Sequence, residues 1–252
     1  MTDIILSGCC GKMGKVIVSE VAKRDDCQIV AGVDIFSDST STFPIYDDFS
    51  KITQHADVII DFSNPAVLDS LLTYAVATKT PCVICTTGFS AQQVEAVHKS
   101  AQSTAIFYSR NMSLGINLLI ELSRMAEKVL GKSFDVEIIE KHHNQKIDAP
   151  SGTALMIADG IAQIMPEQPQ YVYDRHAYRK KREQKEIGIH AVRGGTIVGE
   201  HEVIFAGHDE VLTITHQAQS KEVFAIGSIN AALYLKGKDC GMYDMSDMLQ
   251  GK

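Results

Sequence analysis

The chain has 252 residues, 45% apolar and 22% charged. This is the make-up of a soluble globular protein of one large or two small domains, with no stretch long and apolar enough to cross a bilayer. A formal net charge of −7 works against non-specific nucleic-acid binding, and a start without a basic segment and cleavage site predicts a cytoplasmic protein.

Short apolar runs at 4–6, 29–33, 58–60, 81–85 and 105–107 read as strands, with helices expected between them at 12–23, 65–77 and 91–100. Ser90 with Gln93 forms a capping box for the third helix. Continuous apolar strands alternating with helices predict an α/β fold with a parallel, doubly wound sheet of the Rossmann type over the first hundred-odd residues.

The first strand runs into Gly8, Cys9, Cys10, Gly11, Lys12, Met13 and Gly14. Glycines at such a strand-to-helix turn let the backbone turn tightly and approach a pyrophosphate. The spacing is G-x-x-G-x-x-G, so Cys10 stands at the second glycine of the commoner G-x-G-x-x-G pattern. The second strand ends at Asp34, about twenty residues on, where a carboxylate can bond a ribose hydroxyl. Together these features predict a nicotinamide or flavin dinucleotide site. No Lys or Arg follows Asp34 until Lys51, so a 2′-phosphate would meet the carboxylate without a cation between them. NADH is therefore expected to be preferred, with NADPH possible.

After Gly115 the texture changes. A long helix at 116–130 precedes strands at 135–140, 187–192, 200–205 and 211–217. The last three are joined by short turns of the antiparallel kind, so this part is expected to be α+β with a mixed or antiparallel sheet. A helix of small and apolar residues at 225–235 is expected to return the chain to the first domain.

Residues 140–153, Glu-Lys-His-His-Asn-Gln-Lys-Ile-Asp-Ala-Pro-Ser-Gly-Thr, concentrate ionisable groups beside a helix start. Strand residues alternate faces, so His142 and His143 are expected to point opposite ways. Pro150 stops the extended run and Ser151 can cap a helix carrying Ala154, Leu155, Ile157 and Ala158. The N–H groups of Ser151, Gly152 and Thr153 would then be open to a carboxylate or phosphate. The blander reading is a solvated basic loop before an ordinary helix.

Gly8-Cys-Cys-Gly-Lys-Met-Gly14, Cys85-Thr-Thr-Gly-Phe89, Asn111-Met-Ser-Leu-Gly-Ile-Asn117 and the 140–153 stretch together resemble the 4-hydroxy-tetrahydrodipicolinate (dihydrodipicolinate) reductases. The likeness runs the whole chain, through Arg193-Gly-Gly-Thr-Ile-Val-Gly-Glu-His201 and Asp244-Met-Ser-Asp-Met-Leu249. It implies an enzyme of lysine and diaminopimelate biosynthesis, a homotetramer using NADH or NADPH to reduce a small dicarboxylate cyclic imine. It further implies a dinucleotide-binding domain over 1–112 and 223–252, and a substrate-binding and tetramerisation domain over 113–222. By the resemblance, His142 is an acid/base residue and Lys146 a proton donor. His143 contacts substrate, and Gly152 and Thr153 bind a substrate carboxylate. Cys85, Thr86 and Thr87, and then Ser109, Arg110, Asn111 and Met112, contact the cofactor. Arg110, where a small residue or proline is common, and Cys85, where glycine is, depart from the pattern, and the role of Arg110 stays open.

Other features have plainer readings. His190, His201, His208 and His216 are expected to be structural or interface residues. Met242, Met245 and Met248 read as a helical packing stripe, and 179–182 as a solvated basic segment. The six cysteines are expected to be reduced thiols, and no metal site is expected from the spacing of His and Cys. Cys82 and Cys85, three apart in a strand, should face opposite ways. The competing functions are a non-catalytic dinucleotide-binding sensor and a two-domain dehydrogenase of another substrate.

Overall fold

The computed structural model describes residues 1–176 and 179–251. The chain divides into two compact units, Met1–Ser113 with Lys221–Lys252, and Leu114–Ser220.

The first unit begins with β1 (Thr2–Ser7), α1 (Lys12–Val21), β2 (Cys27–Val33), β3 (Ile45–Tyr46) and β4 (Val58–Asp61). It continues with α2 (Leu68–Thr78), β5 (Cys82–Ile84), α3 (Ala91–Ser100) and β6 (Ala105–Tyr108). The second unit holds α4 (Leu114–Leu130), β7 (Asp135–His142), α5 (Gly152–Ala162), β8 (Gln170–Val172), β9 (Glu186–Arg193), β10 (Gly199–Ala206) and β11 (Val211–Ala218). The chain then returns to the first unit as α6 (Glu222–Leu235), β12 (Gly241–Tyr243) and α7 (Met245–Gln250).

The first unit's sheet runs β12-β6-β5-β4-β1-β2-β3, and its pairs are parallel. Ile4, Ile5, Leu6, Ile59 and Ile60 are fully buried, as strands covered on both faces require. The order departs in both directions from β1, so a crevice opens beyond the carboxyl ends of β1 and β4, the usual ligand position in such sheets. Helix α3 carries its capping box, Ser90 Oγ accepting from Gln93 N and Gln93 Oε1 from Ser90 N. Helix α6 buries Ala225, Ile229, Ala232 and Leu235 completely and lies against α1 and β4 to β6.

The second sheet runs β11-β10-β7-β9-β8. Strands β8, β9 and β7 are mutually parallel, while β7 with β10 and β10 with β11 are antiparallel, giving a mixed sheet. Only β10 and β11 form the expected hairpin, closed by Gly207 N–H to Glu210 O with Asp209 at φ 58°. Strand β9 pairs with β7 instead, so the segment after Arg193 spans from β9 to β10 with β7 between them. Ile116, Leu119, Ile157 and Ile161 of α4 and α5 join Val136, Ile138, Ile189 and Phe205 in one core.

Several expectations are corrected locally. The helix expected from residue 65 opens as a 3-10 turn, Pro65–Val67, because Asn64 caps it by accepting from Ala66 N. Met242 lies in strand β12, paired with Ile106, so the methionines do not share one helical stripe. The basic run is not wholly solvated: Arg182 folds onto β7, donating from Nε to Glu137 and from Nη1 to Asp135. Strand β5 ends at Ile84, so Cys82 lies within it and Cys85 just beyond it, and both are buried.

Candidate active site

Strand β7 is central in its sheet, and its residues alternate between half-buried and buried, so Val136, Ile138, Glu140 and His142 form one inward row. Two core hydrophobes are thus followed on the same face by a carboxylate with 0% exposure and an imidazole with 8%. A buried carboxylate is costly unless its lone pairs are filled, and those of Glu140 are. Its Oε1 accepts from Ser151 N at 2.9 Å and Arg193 Nη2 at 2.7 Å. Its Oε2 accepts from Arg193 Nη1 at 2.8 Å and meets His142 Nδ1 at 2.6 Å. Burial pushes the Glu140 carboxyl up, but the bonds from His142, Arg193 and Ser151 outweigh it and hold the group down at about 2. An ionised Glu140 can only accept, so His142 Nδ1–H donates to it and Nε2 is the ring nitrogen not engaged by the carboxylate.

The surroundings keep that nitrogen accessible. A Cβ at Gly199 would come within 3.1 Å of His142 Nε2, so the absence of a side chain there leaves space against the ring. His201, the register partner of Glu140 on β10, packs edge-on to His142 with centroids 5.2 Å apart and an interplanar angle of 76°. Burial first, and then the neighbouring His142, push the His201 pKa down to about 3, so it stays neutral beside the acid/base candidate. Its Nε2 lies 3.1 Å from Ser151 Oγ.

The strand ends at His142, and Gly194 N–H donates to the His142 carbonyl. His143 follows half-buried outside the inward row, so the adjacent imidazoles have different surroundings. A turn from His143 O to Lys146 N brings the ammonium to 2.8 Å from Asp148 Oδ1, a partner that sequence reading did not assign. Ser151 caps α5, accepting from Ala154 N at 3.1 Å. Its own N–H, expected to be open to a ligand, is committed to Glu140, and its hydroxyl is shared by Ala154 and His201. With 1% exposure, Ser151 links Glu140, His201 and the start of α5. Gly152 is exposed and Thr153 half-buried.

In the first unit, Gly8 has φ 79°, and a Cβ on it would meet Phe62 O at 2.4 Å. A Cβ on Gly14 would meet Gly8 O at 2.2 Å. The loop is therefore folded to a closeness only glycine permits. Gly11 is the N-cap of α1 without a side-chain cap. The first-turn N–H groups of Lys12, Met13 and Gly14 have no intrahelical acceptor, as in dinucleotide folds. The loop borders a cavity of about 370 Å³ that also touches Asp34, Ile35, Phe62 and Asn64. This cradle fits a dinucleotide.

The other cofactor candidates divide. Asp34 accepts from Cys10 N at 2.9 Å and Phe36 N at 3.1 Å, so its carboxylate is tied to the glycine loop itself. Thr86 and Cys85 are buried: the Thr86 hydroxyl donates to Asp61 at 2.6 Å and Cys85 N–H donates to Asp61 O. Their side chains thus serve the sheet end, whereas Thr87 is exposed. Ser109 Oγ donates to Asn111 O and Asn111 Oδ1 accepts from Ser113 N, fixing a turn in which Arg110 is exposed. The Met112 side chain is core, with 3% exposure.

Sequence reasoning gave no site role to Glu140 or Arg193, and read His201 as a structural or interface residue. Glu140 had a detectable signal, a carboxylate in phase with the buried Val136 and Ile138. Arg193 had none, because its partner lies 53 residues away.

Residues 2–112 match the family described as dihydrodipicolinate reductase, N-terminus, and residues 115–249 the one described as dihydrodipicolinate reductase, C-terminus. The chain is 50% identical over 250 residues to the 4-hydroxy-tetrahydrodipicolinate reductase of Caldanaerobacter subterraneus subsp. tengcongensis, covering 99% of each. It is 47% identical to that of Clostridium novyi over the full length of both. Among solved structures it resembles a dipicolinate-bound dihydrodipicolinate reductase from Paenisporosarcina sp. TG-14, with TM-score 0.79, 24% identity and 97% of each chain covered. A C. glutamicum DAP dehydrogenase shares the fold more distantly, with TM-score 0.58, 12% identity, and 97% of this chain and 92% of that one covered. With both halves of the chain matched in order, and relatives of about half-identical sequence along its length, the protein belongs to the dihydrodipicolinate reductase family.

Proposed function

We propose that the protein reduces the cyclic imine 4-hydroxy-tetrahydrodipicolinate to tetrahydrodipicolinate in lysine and diaminopimelate biosynthesis, with NADH as preferred donor and NADPH as a second. The nicotinamide supplies the hydride when bound. The observation that carries the reading is the Arg193–Glu140–His142 chain, which presents one imidazole nitrogen of fixed tautomer at the end of a rigid strand. His142 Nε2 exchanges a proton with the substrate, and Lys146 supplies positive charge and a proton as electron density grows on the ring. Gly152 and Thr153, at the start of α5, bind one substrate carboxylate, and His143 contacts the substrate from the loop. Gly8 to Gly14 hold the pyrophosphate and Asp34 the ribose, with Thr87 and the turn at Ser109 to Asn111 beside them.

The cofactor preference is supported by Asp34, whose charge opposes a 2′-phosphate. It is moderated by Lys15, which lines a hollow with Cys10 and Asp38 and brings a cation that the run after Asp34 lacks. Assembly as a homotetramer is supported by the exposed apolar residues Leu118, Leu122, Met125 and Val129 on α4 and by the edge position of β11, with Val211 63% exposed. The deciding experiment follows NADH and NADPH oxidation by the purified protein with freshly generated imine. No turnover with either nucleotide would overturn the reading.

A further inference from the structure

The glycine loop carries two adjacent thiols, and the fold does something with them that their spacing in sequence does not announce. Cys9 Sγ and Cys10 Sγ lie 4.0 Å apart. Asp34 comes back to them from 24 residues away, and one ligand atom from each of the three residues lies within 4.8 Å of the others. Tetrahedral zinc, with Zn–S bonds of about 2.3 Å, holds its sulfurs about 3.8 Å apart, so the thiols need little movement to share one ion.

The surroundings shape the site. Cys9 is buried against β2, where a Cβ on Gly32 would stand 2.6 Å from its sulfur, so glycine there makes room for the thiol. Cys10 is half-buried, and its S–H donates to Phe36 O at 3.4 Å. Each oxygen of Asp34 takes only one backbone N–H, which leaves lone pairs for a metal. Two thiolates and a carboxylate give three negative charges. A divalent ion, with Lys15 beside Cys10, brings the site close to neutral.

We propose that Cys9, Cys10 and Asp34 form a binding site for a thiophilic divalent metal ion of the zinc class, and that its occupation excludes the dinucleotide. The exclusion rests on the dinucleotide reading given above: the cavity beside the glycine loop is lined by both Cys10 and Asp34, so an ion held between them stands where the ribose would bind. Binding forms two metal–sulfur bonds and one metal–oxygen bond, and the two thiol protons pass to buffer. No oxidant or reductant takes part.

The test uses the full chain carrying Cys240→Ser, because Cys240 is an exposed thiol that would bind metal on its own account. Reduced protein without nucleotide is titrated with Co²⁺. The expected result is one equivalent bound per chain, with a thiolate-to-cobalt charge-transfer band and tetrahedral visible bands, bleached by Zn²⁺. Adding Cys10→Ser should lower the charge-transfer intensity at least twofold and weaken cobalt binding at least tenfold, with the circular dichroism spectrum unchanged. In a second arm, NADH fluorescence is titrated at a Zn²⁺ concentration ten times its own Kd, and the apparent Kd for NADH should rise about tenfold by competition.

The metal site is overturned if no charge-transfer band forms, or if Cys10→Ser in folded protein changes neither the band intensity nor the cobalt affinity. Exclusion is overturned if NADH binds equally well with and without zinc. Failure of metal-free protein to bind NADH would instead count against the dinucleotide reading, and the cobalt titration would still decide the metal site.

Discussion

Arg193 and His142 are register partners across the parallel pair of β9 and β7, and both reach the same carboxylate, Glu140. The guanidinium binds both oxygens, so the plane of the carboxylate, and through it the imidazole ring, is fixed by a side chain on a neighbouring strand. Removing Arg193 leaves the carboxylate buried without a countercharge. Arg193→Met should destabilise the protein by about 3–5 kcal/mol in urea unfolding. Arg193→Met with Glu140→Gln should recover part of that loss; a double variant no more stable than the single one would show that the charge of Glu140 is not the cause.

His142→Ala and Lys146→Ala should each lower kcat by about two to four powers of ten in protein that still folds. Single-turnover NADH oxidation reads the chemical step directly. Near wild-type turnover in either variant would remove that residue from the mechanism.

Gly199→Ala tests the geometry without touching a functional group. Its methyl would stand 3.1 Å from His142 Nε2, so kcat/KM should fall about tenfold by displacement of the reacting groups, while NADH binding stays as it was. An unaffected kcat/KM would mean that the proton is not transferred at Nε2.

The pH dependence of stability should show two windows that overlap between pH 4.5 and 3. Glu140 is held at about 2 when folded, against 4.5 ordinarily, so the unfolded chain takes up the proton first. Its contribution, at most about 3 kcal/mol, is complete above pH 4.5 and drains away between 4.5 and 2. His201 is held at about 3 against 6.5. The unfolded histidine again protonates first, so stability is complete above 6.5 and is lost as pH falls through 6.5 toward 3. His201→Gln should flatten the stability curve between pH 6.5 and 4.5, and Glu140→Gln should flatten it below 4.5. Identical profiles in denaturant titrations at each pH would refute the assignment.

Asp34→Asn should narrow the proposed preference for NADH, raising kcat/KM with NADPH by several-fold as repulsion of the 2′-phosphate is removed. Lys15→Ala should act in the opposite direction. A cofactor ratio unmoved by either variant would place nucleotide discrimination elsewhere.

Much of this organisation was legible from local pattern. The first unit's strands announce themselves because apolar residues run continuously in a sheet covered on both faces, and the Ser90 capping box and the Ser151 cap were visible as side chains at fixed offsets. The two-residue β3 and three-residue β12 were not, because strands this short exist only by pairing with neighbours already in place. In the site, His142 and Lys146 stood out by residue type. The bonds that use up Ser151 N–H did not, since they depend on where α5 lands against β7. Arg193 and His201 were hidden for the same reason: register across the sheet, and not sequence distance, brings them to Glu140.

That separation has a consequence for how the protein is made. Glu140 leaves the ribosome well before Arg193, and the charge it must bury has no counterion until β9 has been synthesised and has docked beside β7. Until then the inward row of β7 can hold a neutral or hydrated Glu140 only by staying open to water. Completion of the second unit's core and completion of the Arg193–Glu140–His142 chain are therefore one event, and a nascent chain released short of residue 193 should lack both a closed sheet and an anchored His142 ring.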